Sequence, residues 1–355
     1  MNKFLYKKFS SVLKPKSIQY HKLVDPSIDL SEELDSMIGE NSSGIFCIKG
    51  VPNLQSLKED LLLNLFNLCK FSDVKLNEIR SSLEGAVGFS DKPFYSKSGV
   101  LNNKVKSFTA RFPKETVDDF SEEVRNLNKN LWPSFMPNFK DKYIDFSRLI
   151  YNSQFHILRN LDLYSKKKVP ESKLFETFYN SITCTNRSVV YQPISKYENL
   201  DPNINCWDDW HTDFSLFTNI THPVYITENG NIINGDTCLI IRNRQEKELE
   251  VISEPDDLIC FMGDTIYMLS GGAIKCTPHI VQHNNKMRKD VYRLNFVSFY
   301  EPYNTQKIEI PGKMTFDKLL ENDKVNWSLR TSDNFTQGMT YGEYTNQAKE
   351  ELKIN

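Results

Sequence analysis

The sequence predicts an α+β, mainly β fold: a jelly-roll (double-stranded β-helix) barrel with a mixed α/β N-terminal region and a long supporting helix. Two observations carry this expectation. From about residue 186, strand-length apolar segments follow one another with turn residues between them, the pattern of an all-β barrel or sandwich. Ahead of them, apolar residues recur at helical spacing in long stretches.

Element by element, Ser17–Val24 alternates well enough for a strand, and Gly44–Val51 (GIFCIKGV) is a buried strand by length and flanking glycines. Asn53 is placed as an N-cap before Leu54, Leu57, Leu61, Leu62, Leu65, Phe66 and Leu68, a core-packing stripe. Residues 84–115 read as irregular or weakly stranded. Helices are expected over about Val117–Leu131, Phe139–Leu163 and Glu171–Ser181, the second as a spine under a sheet. The expected barrel strands are Ser188–Pro193, Trp210–Phe217, Thr237–Arg242, Leu249–Ile252, Leu258–Met262, Ile266–Leu269, His279–Gln282 and Tyr292–Tyr300. A last helix is expected near Gly342–Leu352. The implied organisation is a basic extension (1–16), an α/β region (17–185), the barrel (186–305) and a C-terminal tail (306–355).

Composition excludes several classes. The 355 residues carry 44 basic and 46 acidic side chains, a formal net charge of −2. A nucleic-acid or anionic-membrane surface needs a concentrated positive field, so neither partner is expected. No apolar run reaches the roughly 18 residues of a membrane helix. The seven cysteines (Cys47, Cys69, Cys184, Cys206, Cys238, Cys260, Cys276) contain no Cys-x-x-Cys, which suggests neither a disulfide framework nor structural zinc and favours a reducing, cytoplasmic setting. The first 24 residues hold six lysines and no acid, so a mitochondrial transit segment is the alternative localisation.

Only six histidines limit the metal chemistry: His21, His156, His211, His222, His279 and His283. In Trp210-His211-Thr212-Asp213-Phe214, strand alternation would point His211 and Asp213 the same way, about 7 Å apart along the backbone. A further histidine from a later strand would complete a 2-His-1-carboxylate facial triad, the donor set of non-haem iron(II) oxygenases. His279, in Thr277-Pro278-His279, is the candidate, and His283 is the competitor on the same strand face. His-x-Asp alone is a weak signal, because a strand histidine is usually a satisfied structural residue. The remaining histidines read as structural or exposed. Arg293, on the last strand, could hold a dicarboxylate through paired charge-assisted hydrogen bonds, with Asn295 facing the same space. The plainer reading of Arg293 is an ion pair at the barrel rim.

In order, WHTDFSLFT, MGDTIYMLSGG, KCTPHIV and RLNFVSFYEP resemble the isopenicillin N synthase-like branch of the iron(II)/2-oxoglutarate-dependent dioxygenases. GIFCIKGVP stands where that branch has a GFFxVxxHGI strand, and Asn130-Leu131-Trp132-Pro133 precedes the long helix as it does there. The resemblance spans most of the chain. It implies iron(II) on His211, Asp213 and His279, 2-oxoglutarate anchored by Arg293 and contacted by Tyr191, and O2 as the oxidant. The implied activity is hydroxylation or desaturation of a small organic substrate, carboxylated ones included. Two departures stand out. Arg-Leu-Asn replaces the family's Arg-x-Ser, and the separation of His211 from His279 is long, with the extra length expected in a lid-like loop over Thr221–Asn234. The alternatives are an iron oxygenase of this fold that does not use 2-oxoglutarate, and a catalytically inactive metal-binding barrel.

Overall fold

The computed structural model describes residues 11–80, 87–91, 94–95, 101–102, 105–112, 129–178, 182–193, 195, 206–235, 237–282, 288–322 and 335–352. Two short strands, β1 (Val12–Leu13) and β2 (Ser17–Gln19), precede helices α1 (Tyr20–Val24) and α2 (Ser31–Ile38). Then come β3 (Ile45–Lys49), α3 (Leu54–Leu68), α4 (Asp73–Asn77), β4 (Gly88–Ser90), β5 (Phe94–Tyr95), β6 (Leu101–Asn102) and β7 (Val105–Phe112). The long α5 (Phe139–Lys168) and short α6 (Leu174–Phe178) lead to β8 (Ile182–Tyr191), β9 (Cys206–His211) and β10 (Phe217–Thr221). Strands β11 (Val224–Ile226), β12 (Ile232–Ile233), β13 (Leu239–Arg242), β14 (Glu248–Val251) and β15 (Leu258–Met262) follow. After them lie α7 (Asp264–Leu269), β16 (His279–Gln282), β17 (Tyr292–Pro302), α8 (Phe316–Asn322) and α9 (Tyr341–Leu352).

Apart from the separate β5–β6 pair, the strands form two facing sheets of a jelly roll. One runs β2-β3-β15-β10-β17-β8-β7-β4, with the β11–β12 hairpin also joined to β17; the other runs β1-β14-β13-β16-β9. Alternation divides each strand of the larger sheet between two environments. Ile45, Cys47, Ile220, Ile259 and Phe261 pack inward against Leu239, Ile241 and Val251 of the smaller sheet. Val189 and Tyr191 likewise meet Cys238 and Val281.

The opposite face is covered by helices. Phe296 lies edge-on to Phe146 of α5, ring centroids 4.7 Å apart. The Tyr143 hydroxyl donates to the Asn186 carbonyl at 2.8 Å, and Gln154 donates to Ser298. Lysines 166–168 occupy the last turn of α5, where cations favour the helix dipole. Among the described residues no helix is long and apolar enough to cross a membrane.

Several expectations need correction. The first predicted strand ends at Gln19 and its remainder is α1. Asn53 does precede α3, but as a left-handed residue (φ 58°) whose side chain makes no capping bond; asparagine tolerates that backbone region better than most residues. Ile266–Leu269 belongs to α7, not a strand: all six of its residues are buried, so no period-two or helical pattern marks it. The expected strand Trp210–Phe217 is two strands separated by a turn. The presumed lid over Thr221–Asn234 is the β11–β12 hairpin, with Val224, Tyr225 and Ile226 buried. Most of the expected helix over Val117–Leu131 lies outside the described residues, as does much of 84–115.

Candidate metal centre

His211 ends β9 and His279 begins β16, and the two are direct cross-strand partners. Their ring centroids are 4.2 Å apart. Asp213 is two residues beyond the strand, in the turn that leads to β10, rather than within it. That turn is fixed by the Gly263-Asp264 corner: the Asp264 amide donates to the Asp213 carbonyl at 2.8 Å. A Cβ on Gly263 would fall 2.1 Å from the Ser215 carbonyl oxygen and 2.9 Å from that of Asp213, so close backbone approach demands glycine there. Tyr344 of α9 holds the Asp264 carboxylate from the other side at 3.3 Å.

Asp213 Oδ1 is 3.6 Å from His211 Nε2 and 3.9 Å from His279 Nε2. One donor atom from each of the three residues lies within 4.8 Å of the others. Asp213 and His279 are buried, and His211 is partly exposed. Each side chain is oriented by a neighbour. The Thr218 hydroxyl donates to Asp213 Oδ2 at 2.5 Å, which leaves Oδ1 toward the imidazoles. His279 Nδ1 meets the Thr277 carbonyl at 3.1 Å, so the proton belongs on Nδ1 and Nε2 presents its lone pair. Phe261 packs against the His279 ring at 4.4 Å. Two imidazoles and one carboxylate, with no thiolate, are a donor set suited to iron(II). His283, the competing histidine, lies outside the described residues.

Arg293 is 1% exposed on the inner face of β17. Its guanidinium donates to the Thr237 carbonyl at 2.7 Å and lies 4.8 Å from the centre of the Tyr191 ring. Burial opposes its charge, yet Tyr225, Tyr191 and Cys238 together keep its pKa above the ordinary value. Tyr191 and Tyr225 are its cross-strand partners on β8 and β11. Asn295 follows on the same face, also 1% exposed. Its Oδ1 accepts from the Thr221 hydroxyl at 2.8 Å and from the Phe296 amide at 2.9 Å. Its Nδ2 has no hydrogen-bond partner among the described residues. A buried donor left in this way costs about 1–3 kcal/mol, which is recovered when an acceptor enters.

Sequence reasoning missed Thr218 and Tyr225. Thr218 was inside the quoted WHTDFSLFT stretch but had no motif of its own. Tyr225 was hidden by reading its strand as a loop, although the run Val224-Tyr225-Ile226 carries a strand composition.

No family model matches the chain. A homoarginine-6-hydroxylase of Glycine max is 22% identical over 335 residues, covering 87% of this chain and 91% of that protein. A second, from Arabidopsis thaliana, is 28% identical over 196 residues, 52% of this chain and 48% of its own length. Among solved structures, a 2OG-Fe(II) oxygenase family protein of Caulobacter crescentus superposes with a TM-score of 0.68 at 15% identity, covering 95% of this chain and 99% of that one. JOX2, crystallised with 2OG, Fe and JA, gives 0.66 at 16% identity over 95% and 86% of the two chains. The chain has the 2-oxoglutarate/iron(II) oxygenase fold. Within that fold, an aspartate lodged in a turn beyond β9, pinned by Thr218 and the Gly263 corner, and an asparagine two residues after the buried arginine are features of this chain.

Proposed function

We propose that this chain is a non-haem iron(II) oxygenase that couples oxidative decarboxylation of 2-oxoglutarate to hydroxylation or desaturation of a small organic substrate. The observation that carries the reading is the convergence of His211, Asp213 and His279 donor atoms within 4.8 Å inside a jelly roll. His211 and His279 would offer Nε2 and Asp213 Oδ1, and three ligands on one side leave positions open for exogenous molecules. Iron(II) held there supplies oxygen activation when bound. Thr218 keeps the carboxylate from rotating, and the Thr277 carbonyl keeps His279 in the tautomer a metal needs. Arg293 would take the distal carboxylate of 2-oxoglutarate through its planar fork, with the Asn295 amide donating from the same face. Burial of both residues excludes water and strengthens those contacts. The substrate is read as a small molecule, carboxylated ones included.

A second reading rests on Asn295, which stands where a hydroxyl residue is usual. An arginine–amide pair would hold a substrate carboxylate equally well in an oxygenase that needs no 2-oxoglutarate. The test is anaerobic iron and 2-oxoglutarate binding followed by oxygen admission. Succinate formation that depends on both, and that disappears in His279→Ala and Asp213→Ala, is the expected result. Oxygen uptake without succinate would favour the second reading. No iron binding would overturn both.

A further inference from the structure

Besides Arg293, strand parity places Arg111 of β7 and Arg187 of β8 on the inner face of the larger sheet, and the proposed function leaves Arg187 without a role. Arg187 is on β8, where Val189 and Tyr191 pack inward against Cys238 and Val281. Its neighbour Asn186 faces the other way, accepting at its carbonyl from Tyr143 of α5 and at its side chain from Ser298. Parity therefore turns Arg187 into the barrel. Its register partners agree: Val297 on β17 packs with the inner cluster, and Thr109 on β7 is buried. Arg187 is only partly buried. Among the described residues no ion pair engages it. Glu301, an acid on the same face, instead accepts from Thr185 at 2.5 Å and from Tyr341 at 3.1 Å.

The position relative to the metal cluster follows from register. Thr218, which holds Asp213, pairs with Phe299, and Phe299 pairs with Thr185, two residues before Arg187. Arg187 thus starts two residues along and two strands away from Thr218, roughly 12 Å from it backbone to backbone, a gap that an extended arginine covers only in part. Arg293 pairs with Tyr191, four residues farther along β8, so the two arginines are separated by about 13 Å along the strand. By register Arg187 lies level with Val297, beside the path from Arg293 to the cluster and on its β8 side.

We propose that Arg187 is the anchor for a carboxylate of the organic substrate, distinct from the Arg293 anchor for 2-oxoglutarate. This assignment rests on the oxygenase reading above. A guanidinium fork matches a planar carboxylate in two parallel hydrogen bonds and fixes orientation as well as distance. One such contact beside the cluster would aim a carbon at a set distance from that carboxylate toward the metal.

The full chain, loaded with Mn(II) and 2-oxoglutarate without oxygen, should be screened by calorimetry. The probe is a metabolite library in which each carboxylic acid is paired with its primary amide, L-homoarginine among them. Expected is at least one acid that binds while its amide does not. Arg187→Gln should then weaken that acid about 10- to 100-fold, with 2-oxoglutarate affinity unchanged, and Arg187→Lys should recover part of the loss. Retained 2-oxoglutarate binding also reports that the variant is folded. Equal binding of acids and amides, or an acid that binds Arg187→Gln as well as the parent, overturns the proposal. Loss of 2-oxoglutarate in Arg187→Gln overturns it too, because Arg187 would then serve the co-substrate. A parent chain that binds no 2-oxoglutarate would sink the oxygenase reading itself, and this proposal with it.

Discussion

Strand β17 turns Phe296 and Ser298 toward α5, and Arg293, Asn295 and Val297 toward the second sheet. On the outer face of this strand Phe296 packs on Phe146 and Tyr143 and Ser298 bonds Gln154 and Asn186, although Asn186 Nδ2 on the neighbouring strand has no partner among the described residues. On the inner face an arginine and an amide are equally buried, yet the Asn295 Nδ2 finds no protein acceptor among the described residues. Buried polar groups are tolerated only where something satisfies them. The difference teaches that one face of this strand serves stability and the other is arranged to receive a ligand that bears acceptors.

The comparison breaks most readily at its outer side. Phe296→Ala removes a fully buried ring and should cost about 3–5 kcal/mol in urea unfolding, while the folded fraction keeps its affinity for 2-oxoglutarate. If affinity falls in parallel with stability, the two faces are not separable. On the inner side, Asn295→Asp keeps the Oδ1 acceptor used by Thr221 and Phe296 but replaces the amide donor with a like charge. Binding of 2-oxoglutarate should fall about 10- to 100-fold with a far smaller loss of stability. An unchanged dissociation constant would show that the co-substrate does not visit this face.

How much of this was readable in the sequence depends on how local each feature is. His211, Asp213 and His279 could be named because a short spacing and a motif order carry them. The helix α5 and the strands β13 to β17, apart from α7, follow from periodicity over adjacent residues. What stayed hidden is non-local or non-periodic. Nothing near Asp213 says that its strand stops at His211 and that a glycine fifty residues on closes the turn. Tyr225 becomes a neighbour of Arg293 only once β11 pairs with β17. In α7, six buried residues in a row leave no solvent side for a pattern to reveal. Arg187 could have been found from strand parity, but parity needs the register that the structure supplies.

The Thr218 contact gives a smaller effect that separates ligand positioning from ligand identity. Thr218→Val keeps shape but removes the hydroxyl that donates to Asp213 Oδ2. Iron affinity should fall about 10-fold, the low end for a lost supporting contact, with little change in 2-oxoglutarate affinity once iron is saturating. A change in both would mean that the barrel floor has moved, which near-ultraviolet circular dichroism would register.

The mildest test uses His222, half-buried beside the Arg293 end of the barrel, with Nδ1 2.9 Å from the Ser253 hydroxyl. Burial first, then the positive charges of Lys58 and Arg293, lower its pKa from 6.5 to about 4. Between those values the unfolded chain binds the proton and the folded chain does not. Stability is therefore full above pH 6.5 and is lost as pH falls toward 4, by at most about 3 kcal/mol for this one group. Urea midpoints measured downward from pH 7 should show this loss, and His222→Gln should flatten it. Arg293→Gln should shrink the same limb without abolishing it, because burial is the larger cause and the charge of Arg293 only an addition. If the limb keeps its full size in Arg293→Gln, the charge at the base of the barrel is not felt at His222, and the inner face of β17 is electrostatically more isolated than its geometry implies.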